Sequence, residues 1–279
     1  MIRLCRFLNP RNQVRIGVVI ENSILDISST HPDLTSALEG ARPAGGFPGF
    51  PSHRLSEVKL LGPVERQEVW AAGVTYLRSK KARMEESNFS ATAYDRVYEA
   101  DRPELFFKSM PEKVAGPGEE IGIRKDGKWN VPEPELALVL NSKGRLVGYT
   151  IGDDVSSRDI EGENLLYLPQ AKVYKRSCAL GPVIVTGVTE EEARTWTIHL
   201  QIHRDEKLAF EGTTSVGNIR RRFQDLADYL FRSQEFPHGA ILLTGTGIVP
   251  PDDFTLRPGD HVKIEITAIG VLENTVAEV

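Results

Sequence analysis

Apolar residues along this chain recur mainly with the alternation, or the short unbroken runs, of β-strands, and only rarely with helical spacing. Val14–Ile20 and Ser23–Ile27 read as two strands joined by a tight Glu21-Asn22 turn. Further strands are expected at Val69–Val74, Leu105–Lys108, Glu135–Asn141, Leu146–Gly152, Leu180–Thr186, Trp196–Arg204, Ala240–Thr246 and His261–Ile266. Asn141-Ser142-Lys143-Gly144 has turn chemistry, which makes 135–152 an antiparallel hairpin. Helical spacing occurs in Arg222–Phe231, where Phe223, Leu226, Ala227 and Leu230 share a face that should pack on a sheet. A second candidate helix, Leu77–Ser87, is mostly charged and is expected on the surface. Gly40 to Pro51 is rich in glycine and proline and reads as a linker or loop, and Leu60 to Pro63 marks entry into the main domain. The pattern predicts a β-rich α+β fold, with a small N-terminal domain over 1–60 ahead of the main domain.

Composition narrows the function classes. The 279 residues suit one large domain with a small appendage, and 40% hydrophobic with 26% charged residues can build a sizeable core. A net charge of −5 argues against a nucleic-acid partner, which leaves a basic footprint. No apolar run approaches the ~18 residues of a membrane span. The first residues are too short and too charged a stretch for a signal peptide. Cys5 and Cys178 have neither disulfide-framework nor zinc-site spacing, so a cytoplasmic protein with reduced thiols is expected. There is no internal repeat and no glycine-rich phosphate loop.

The chemistry concentrates between residues 133 and 172. Glu133 and Glu135, two apart on an expected strand, point to one face and can converge. A Glu-x-Glu pair on an exposed edge strand is commonplace. This one leads into the continuous apolar run Leu136-Ala137-Leu138-Val139-Leu140, the signature of a buried strand. Asp154 follows the partner strand of the hairpin and can return to the same end of the sheet. Three such carboxylates suit a hard divalent cation and leave coordination positions open for substrate oxygens. Lys172 or Lys175 could act beside it, because a lysine near a dication has its pKa pulled below ~10.4 toward that of a general base. The six histidines all lie outside 54–198, so the acidic stretch has no imidazole of its own. Cys178 reads as a small buried residue. Thr244-Gly245-Thr246-Gly247 ends an apolar strand, and its amides and the Thr246 hydroxyl could bind a carboxylate, if it is not a plain turn.

Several of these segments together resemble the fumarylacetoacetate hydrolase superfamily over roughly residues 66–279. They are Glu133-x-Glu135, the 148–159 stretch GlyTyrThrIleGlyAspAspValSerSerArgAsp, Lys172 six residues before Cys178, Leu242-Leu243-Thr244-Gly245-Thr246, and the closing ProGlyAsp and IleGlyValLeuGluAsnThrVal. The resemblance implies a β-roll around Mg2+, Mn2+ or Ca2+ held by Glu133, Glu135 and Asp154, Lys172 rather than Lys175 as the active-site lysine, and a homodimer. The hydrolytic members' Asn-Tyr-x-x-His lid is replaced here by Val74-Thr75-Tyr76-Leu77-Arg78-Ser79-Lys80, and their ThrGlyThrPro reads ThrGlyThrGly. With Glu104 opening a strand expected to line the site, the chain looks like the branch that dehydrates 2-keto-3-deoxy sugar acids.

The expected mechanism is an elimination on a small 2-keto acid. Lys172 removes a C3 proton and Glu104, unless it merely caps a strand or pairs with Arg102, protonates the leaving C4 hydroxyl. Tyr76, Gly245 and Thr246 line the substrate, and Lys108 supplies charge at the rim. Replacing Lys172 by alanine is expected to stop turnover with metal affinity nearly unchanged. The competing readings are carbon–carbon hydrolysis or decarboxylation of a diketo acid, with Glu85 or Glu86 positioning water, and a non-catalytic keto-acid binder.

Overall fold

The computed structural model describes residues 1–40, 49–77 and 95–279. The chain begins with a meander of short strands: β1 (Ile2–Leu8), β2 (Val14–Ile20), β3 (Ser23–Asp26), β4 (Ser52–Arg54) and β5 (Lys59–Leu61). There follow β6 (Glu68–Gly73), β7 (Glu104–Ser109), β8 (Val114–Ala115), β9 (Glu120–Ile123) and β10 (Asn130–Val131). The central hairpin is β11 (Pro134–Leu140) and β12 (Leu146–Asp154), followed by β13 (Ser156–Ser157) and β14 (Cys178–Thr186). The chain closes with β15 (Thr197–Arg204), β16 (Lys207–Ser215), β17 (Ala240–Leu243), β18 (His261–Ile266) and β19 (Gly270–Glu278).

Among the described residues these strands form a twelve-stranded sheet, whose main path runs β4-β3-β2-β1-β14-β12-β11-β17-β6-β7, and a five-stranded sheet ordered β16-β15-β18-β19-β9. β10 and β13 pair separately. Successive residues of β11 serve opposite faces of the large sheet. Leu136, Leu138 and Leu140 enter the core shared with the second sheet, where Ile198, Leu200, Ile264 and Leu272 meet them. Ala137 and Val139 enter a second core with Leu4, Val18, Cys178, Leu180 and Leu243. A strand covered on both faces needs an unbroken apolar run, which is what the sequence carries.

The β11–β12 hairpin forms with the expected turn: Asn141 Oδ1 accepts from the Lys143 and Arg145 amides at 3.1 and 3.0 Å. The Phe223–Phe231 helix buries Phe223, Leu226, Ala227 and Leu230, the face its periodicity predicts. β1, β16 and β19 lie outside the expected strands. β16 is an edge strand whose residues are mostly exposed, so it shows no apolar alternation. Most of the expected 40–51 loop and of the 77–87 helix lies outside the described residues.

Candidate metal and catalytic centre

Strand register assembles the centre. Pro134 pairs with Asp153 and Glu135 with Gly152, so Asp154 falls opposite Glu133, and the Asp154 amide donates to the Glu133 carbonyl at 3.0 Å. One carboxylate oxygen from each of Glu133, Glu135 and Asp154 lies within 4.8 Å of the others, and all three side chains are buried. Asp153 points the other way and accepts the Glu133 amide at 3.0 Å, which fixes the backbone that carries the Glu133 carboxylate.

Three buried cations surround these acids. Lys172 ends a short helix (Leu168–Lys172) started by Pro169, and its ammonium contacts Glu133 Oε2 at 2.7 Å, Asp154 Oδ2 at 3.0 Å and Ser156 Oγ at 2.5 Å. Its Nζ also lies 5.6 Å from the centre of the Phe106 ring. Lys108 is not at a rim: it is 0% exposed, and pairs with Asp154 Oδ1 at 2.5 Å while donating to the carbonyls of Val155 and Lys172 at 3.0 and 2.6 Å. Its ammonium is committed to the fold, holding Asp154 on one side and the end of the Lys172 helix on the other. Arg158 opens the helix Arg158–Glu163 and donates to Glu133 Oε1 at 2.8 Å.

Electrostatics bear the mark of crowded acids. Burial, then the neighbouring Asp154 and Glu133, pushes the Glu135 carboxyl well above the usual carboxylate range, against the opposing pull of the Gly245 amide and Lys172. Burial raises Asp153 to about 7, although the Glu133 amide works against it. Burial likewise raises the Cys178 thiol, which suits the inert role expected of it. An oxygen-only donor set, with one acid driven toward its protonated form by burial and by its acidic neighbours, fits a hard divalent cation.

The Thr244–Gly247 loop closes another side. Gly245 has a φ of +87°, and its amide donates to Glu135 Oε2. The Thr75 hydroxyl donates to the Thr244 carbonyl at 2.5 Å. Thr246 is buried, and its hydroxyl accepts the Ile248 amide at 3.2 Å, so it braces its own loop while lining the cavity. Tyr76 is buried beside this loop: a Cβ on Gly247 would stand 2.6 Å from its ring, so the residue after Thr246 has no room for a side chain. Burial, and secondarily Glu135, raises the Tyr76 phenol.

Glu104 opens β7 opposite Gly73 and borders a cavity of about 430 Å³, whose described walls include Val97, Ala100, Arg102, Pro103, Glu161 and Leu168. Gly73 lines the space at the three carboxylates, so the Glu104–Gly73 pair stands between that space and this cavity. Arg102 lies 5.4 Å over the Tyr229 ring. Neither Lys172 nor Lys175 is among the residues lining these two cavities; Lys172 is set apart by its contacts with Glu133 and Asp154. None of the described residues around the carboxylates is a histidine. Arg158, Ser156 and Asp153 escaped the sequence reading as site residues. A signal was available: Asp154, Ser156 and Arg158 are each two apart, the spacing of one strand face. Glu85 and Glu86 lie outside the described residues.

A β-roll with three converging buried carboxylates and an adjoining buried lysine defines a site whose acids could hold a divalent metal ion. The family model described as fumarylacetoacetate (FAA) hydrolase C-terminal matches residues 68–277. The chain belongs to the fumarylacetoacetate hydrolase family. A probable 2-keto-3-deoxyxylonate dehydratase of Haloferax volcanii is 48% identical over 217 residues, covering 78% of this chain and 74% of that protein. A 2-dehydro-3-deoxy-D-arabinonate dehydratase of Saccharolobus solfataricus is 43% identical over 224 residues, covering 79% and 75%. A solved structure of 2-keto-3-deoxy-D-arabinonate dehydratase complexed with magnesium and 2,5-dioxopentanoate superposes with a TM-score of 0.83 at 36% identity, covering 99% of each chain.

Proposed function

We propose that this protein is a magnesium-dependent hydro-lyase that dehydrates 2-keto-3-deoxy sugar acids. The observation that carries the reading is the placement of Lys172 against Glu133 and Asp154, with Glu104 on the adjoining cavity opposite Gly73 and no histidine among the described residues lining the space at the carboxylates. The dehydratases at 43% and 48% identity support it, as does the magnesium and dioxo acid in the solved relative.

Glu133, Glu135 and Asp154 would hold the cation, which when bound supplies Lewis-acid polarisation of a 2-keto acid and so acidifies C3. Positive charge beside an amine favours its neutral form, the form in which Lys172 accepts the C3 proton. Glu104 donates a proton to the C4 hydroxyl, which departs as water as the C3–C4 double bond forms. Arg158 and Lys108 keep Glu133 and Asp154 in place, and Gly245 keeps Glu135. The resulting 2-oxo-3-ene loses a proton from C5 and gains one at C3, and the C4–C5 enol so formed tautomerises to the dioxo acid.

The test is incubation of the purified protein with Mg2+ and a panel of 2-keto-3-deoxy sugar acids and acylpyruvates. A dioxo acid formed without carbon–carbon cleavage is the expected product; cleavage of the acylpyruvates instead would overturn the reading. We further propose a homodimer acting in the cytoplasm. The family resemblance supports the first, and two free, buried cysteines support the second. Among the described residues, no helix is long and apolar enough to cross a membrane.

A further inference from the structure

The wall of the 430 Å³ cavity is held from outside the site by two adjacent arginines. Residues 95–99 are helical and lead through 100–103 into β7, delivering Glu104. The last carbonyls of a helix lack partners within it. Arg221 supplies donors to this stretch: Nη2 reaches the carbonyls of Val97 and Ala100 at 2.9 and 2.8 Å, and Nη1 reaches that of Asp101 at 3.0 Å. Arg220 donates to the Tyr98 carbonyl and the Glu99 carboxylate at 2.8 and 2.9 Å, with its guanidinium 4.6 Å over the Tyr98 ring. A planar guanidinium fork can serve several acceptors at once, which a lysine ammonium at the end of a flexible stem does poorly.

The arginines are in turn tied to the metal centre. The Arg220 amide donates to the Thr75 carbonyl at 3.0 Å, the Thr75 hydroxyl to the Thr244 carbonyl, and the next amide, Gly245, to Glu135. Immediately after them, the Phe223–Phe231 helix is anchored in the core. The two ends of a substrate, one at the carboxylates and one beside Glu104, are thus registered to each other through Arg220 and Arg221.

We propose that Arg221 is a positioning residue: it fixes the 97–103 strap as the wall of a subsite for the C4–C5 end of the substrate, and thereby aims Glu104, without touching the substrate itself. This rests on the dehydratase reading, in which the distal hydroxyls must reach Glu104 while the keto-acid end sits at the carboxylates.

The experiment compares Arg221→Ala and Arg221→Lys with the wild type. It measures steady-state kinetics on a 2-keto-3-deoxypentonate, the inhibition constant of pyruvate, Mg2+ affinity by calorimetry, and amide exchange across 97–102. Pyruvate has the keto-acid end but is too short for the subsite. In both variants KM should rise at least tenfold and kcat fall, with pyruvate inhibition and Mg2+ affinity within twofold of wild type and faster exchange confined to the strap. Unchanged kinetics in the alanine variant, full rescue by lysine, or a parallel loss of pyruvate and Mg2+ affinity would each overturn the proposal. Should the alanine variant not fold, the lysine variant carries the test. Wild-type turnover judges the dehydratase reading separately; if it fails, exchange across 97–102 still reports whether Arg221 holds the strap.

Discussion

Glu104 and Gly73 are partners across the β6–β7 register, and the Glu104 carboxylate fills the space of a missing side chain: a Cβ on Gly73 would stand 1.9 Å from Glu104 Oε2. The glycine is therefore the seat of the proposed acid. Gly73→Ala should drive the carboxylate out of place and lower kcat by roughly 100-fold, within the range of a lost general acid. Glu104→Gln should match it, and calorimetry should find Mg2+ affinity intact in both. Wild-type kcat in Gly73→Ala would detach Glu104 from the chemistry.

Lys172 contacts the very carboxylates that would hold the cation. Sequence alone suggests that Lys172→Ala leaves metal affinity nearly unchanged, but the geometry revises this. Ammonium and dication compete for Glu133 and Asp154, and removing the ammonium leaves buried acids uncompensated, an imbalance worth roughly 3–5 kcal/mol in other proteins. The variant should be inactive, melt earlier than wild type without metal, and bind Mg2+ at least as tightly. Thermal unfolding with and without Mg2+ should therefore show a larger metal-induced rise in Tm. Weaker Mg2+ binding in the variant would count against this competition.

Gly245→Ala tests the loop that steadies Glu135. With φ at +87° and a Cβ position 2.2 Å from Thr75 Oγ1, an alanine is disfavoured both by backbone and by space. A cost of about 1–3 kcal/mol in stability is expected. Mg2+ affinity should fall about tenfold as the amide leaves Glu135, the equivalent of one ordinary hydrogen bond. Chemical denaturation and calorimetry together read both effects.

Proton linkage gives a further check. Glu135 and Asp153 are acids whose folded-state values lie above their unfolded ones, Asp153 at about 7. Their contribution to stability is complete below the ordinary carboxylate range and is lost as pH rises through the folded values. For Asp153 that loss runs from about pH 4 to about pH 7 in the metal-free protein, and Asp153→Asn should flatten the dependence. Mg2+ binding has the opposite slope, since the ligands must be ionised, so its affinity should tighten with rising pH and release protons. Calorimetry in buffers of different ionisation enthalpy measures that release; a pH-independent affinity would contradict it.

The convergence of Glu133 and Glu135 was legible because strand parity is a local property: two residues apart means one face, whatever else the chain does. The hairpin turn and the buried helix face were legible for the same reason. Lys108 was misplaced because a charged residue in isolation reads as surface. Its burial depends on Asp154 and two carbonyls from distant segments, partners that no local pattern reveals. The helix that ends at Lys172 has five residues, too few for periodicity to register. The Arg221 contacts join positions more than a hundred residues apart, and nothing at either end announces the other.

β1 pairs with β14, Ile2 against Thr186, and β14 lies against β12, which carries Asp154. A chain emerging from its amino end therefore makes its first strand long before the strand it docks against. β5 covers Arg6–Leu8, but until residues 184–186 are made the Ile2–Leu4 stretch of that edge stays open, with Leu4 lacking its Ile184 neighbour. Contacts of such sequence separation slow folding, and an open strand edge invites wrong partners. The metal centre is thus completed late in synthesis, and the opening meander is the part of the nascent protein most in need of protection while it waits.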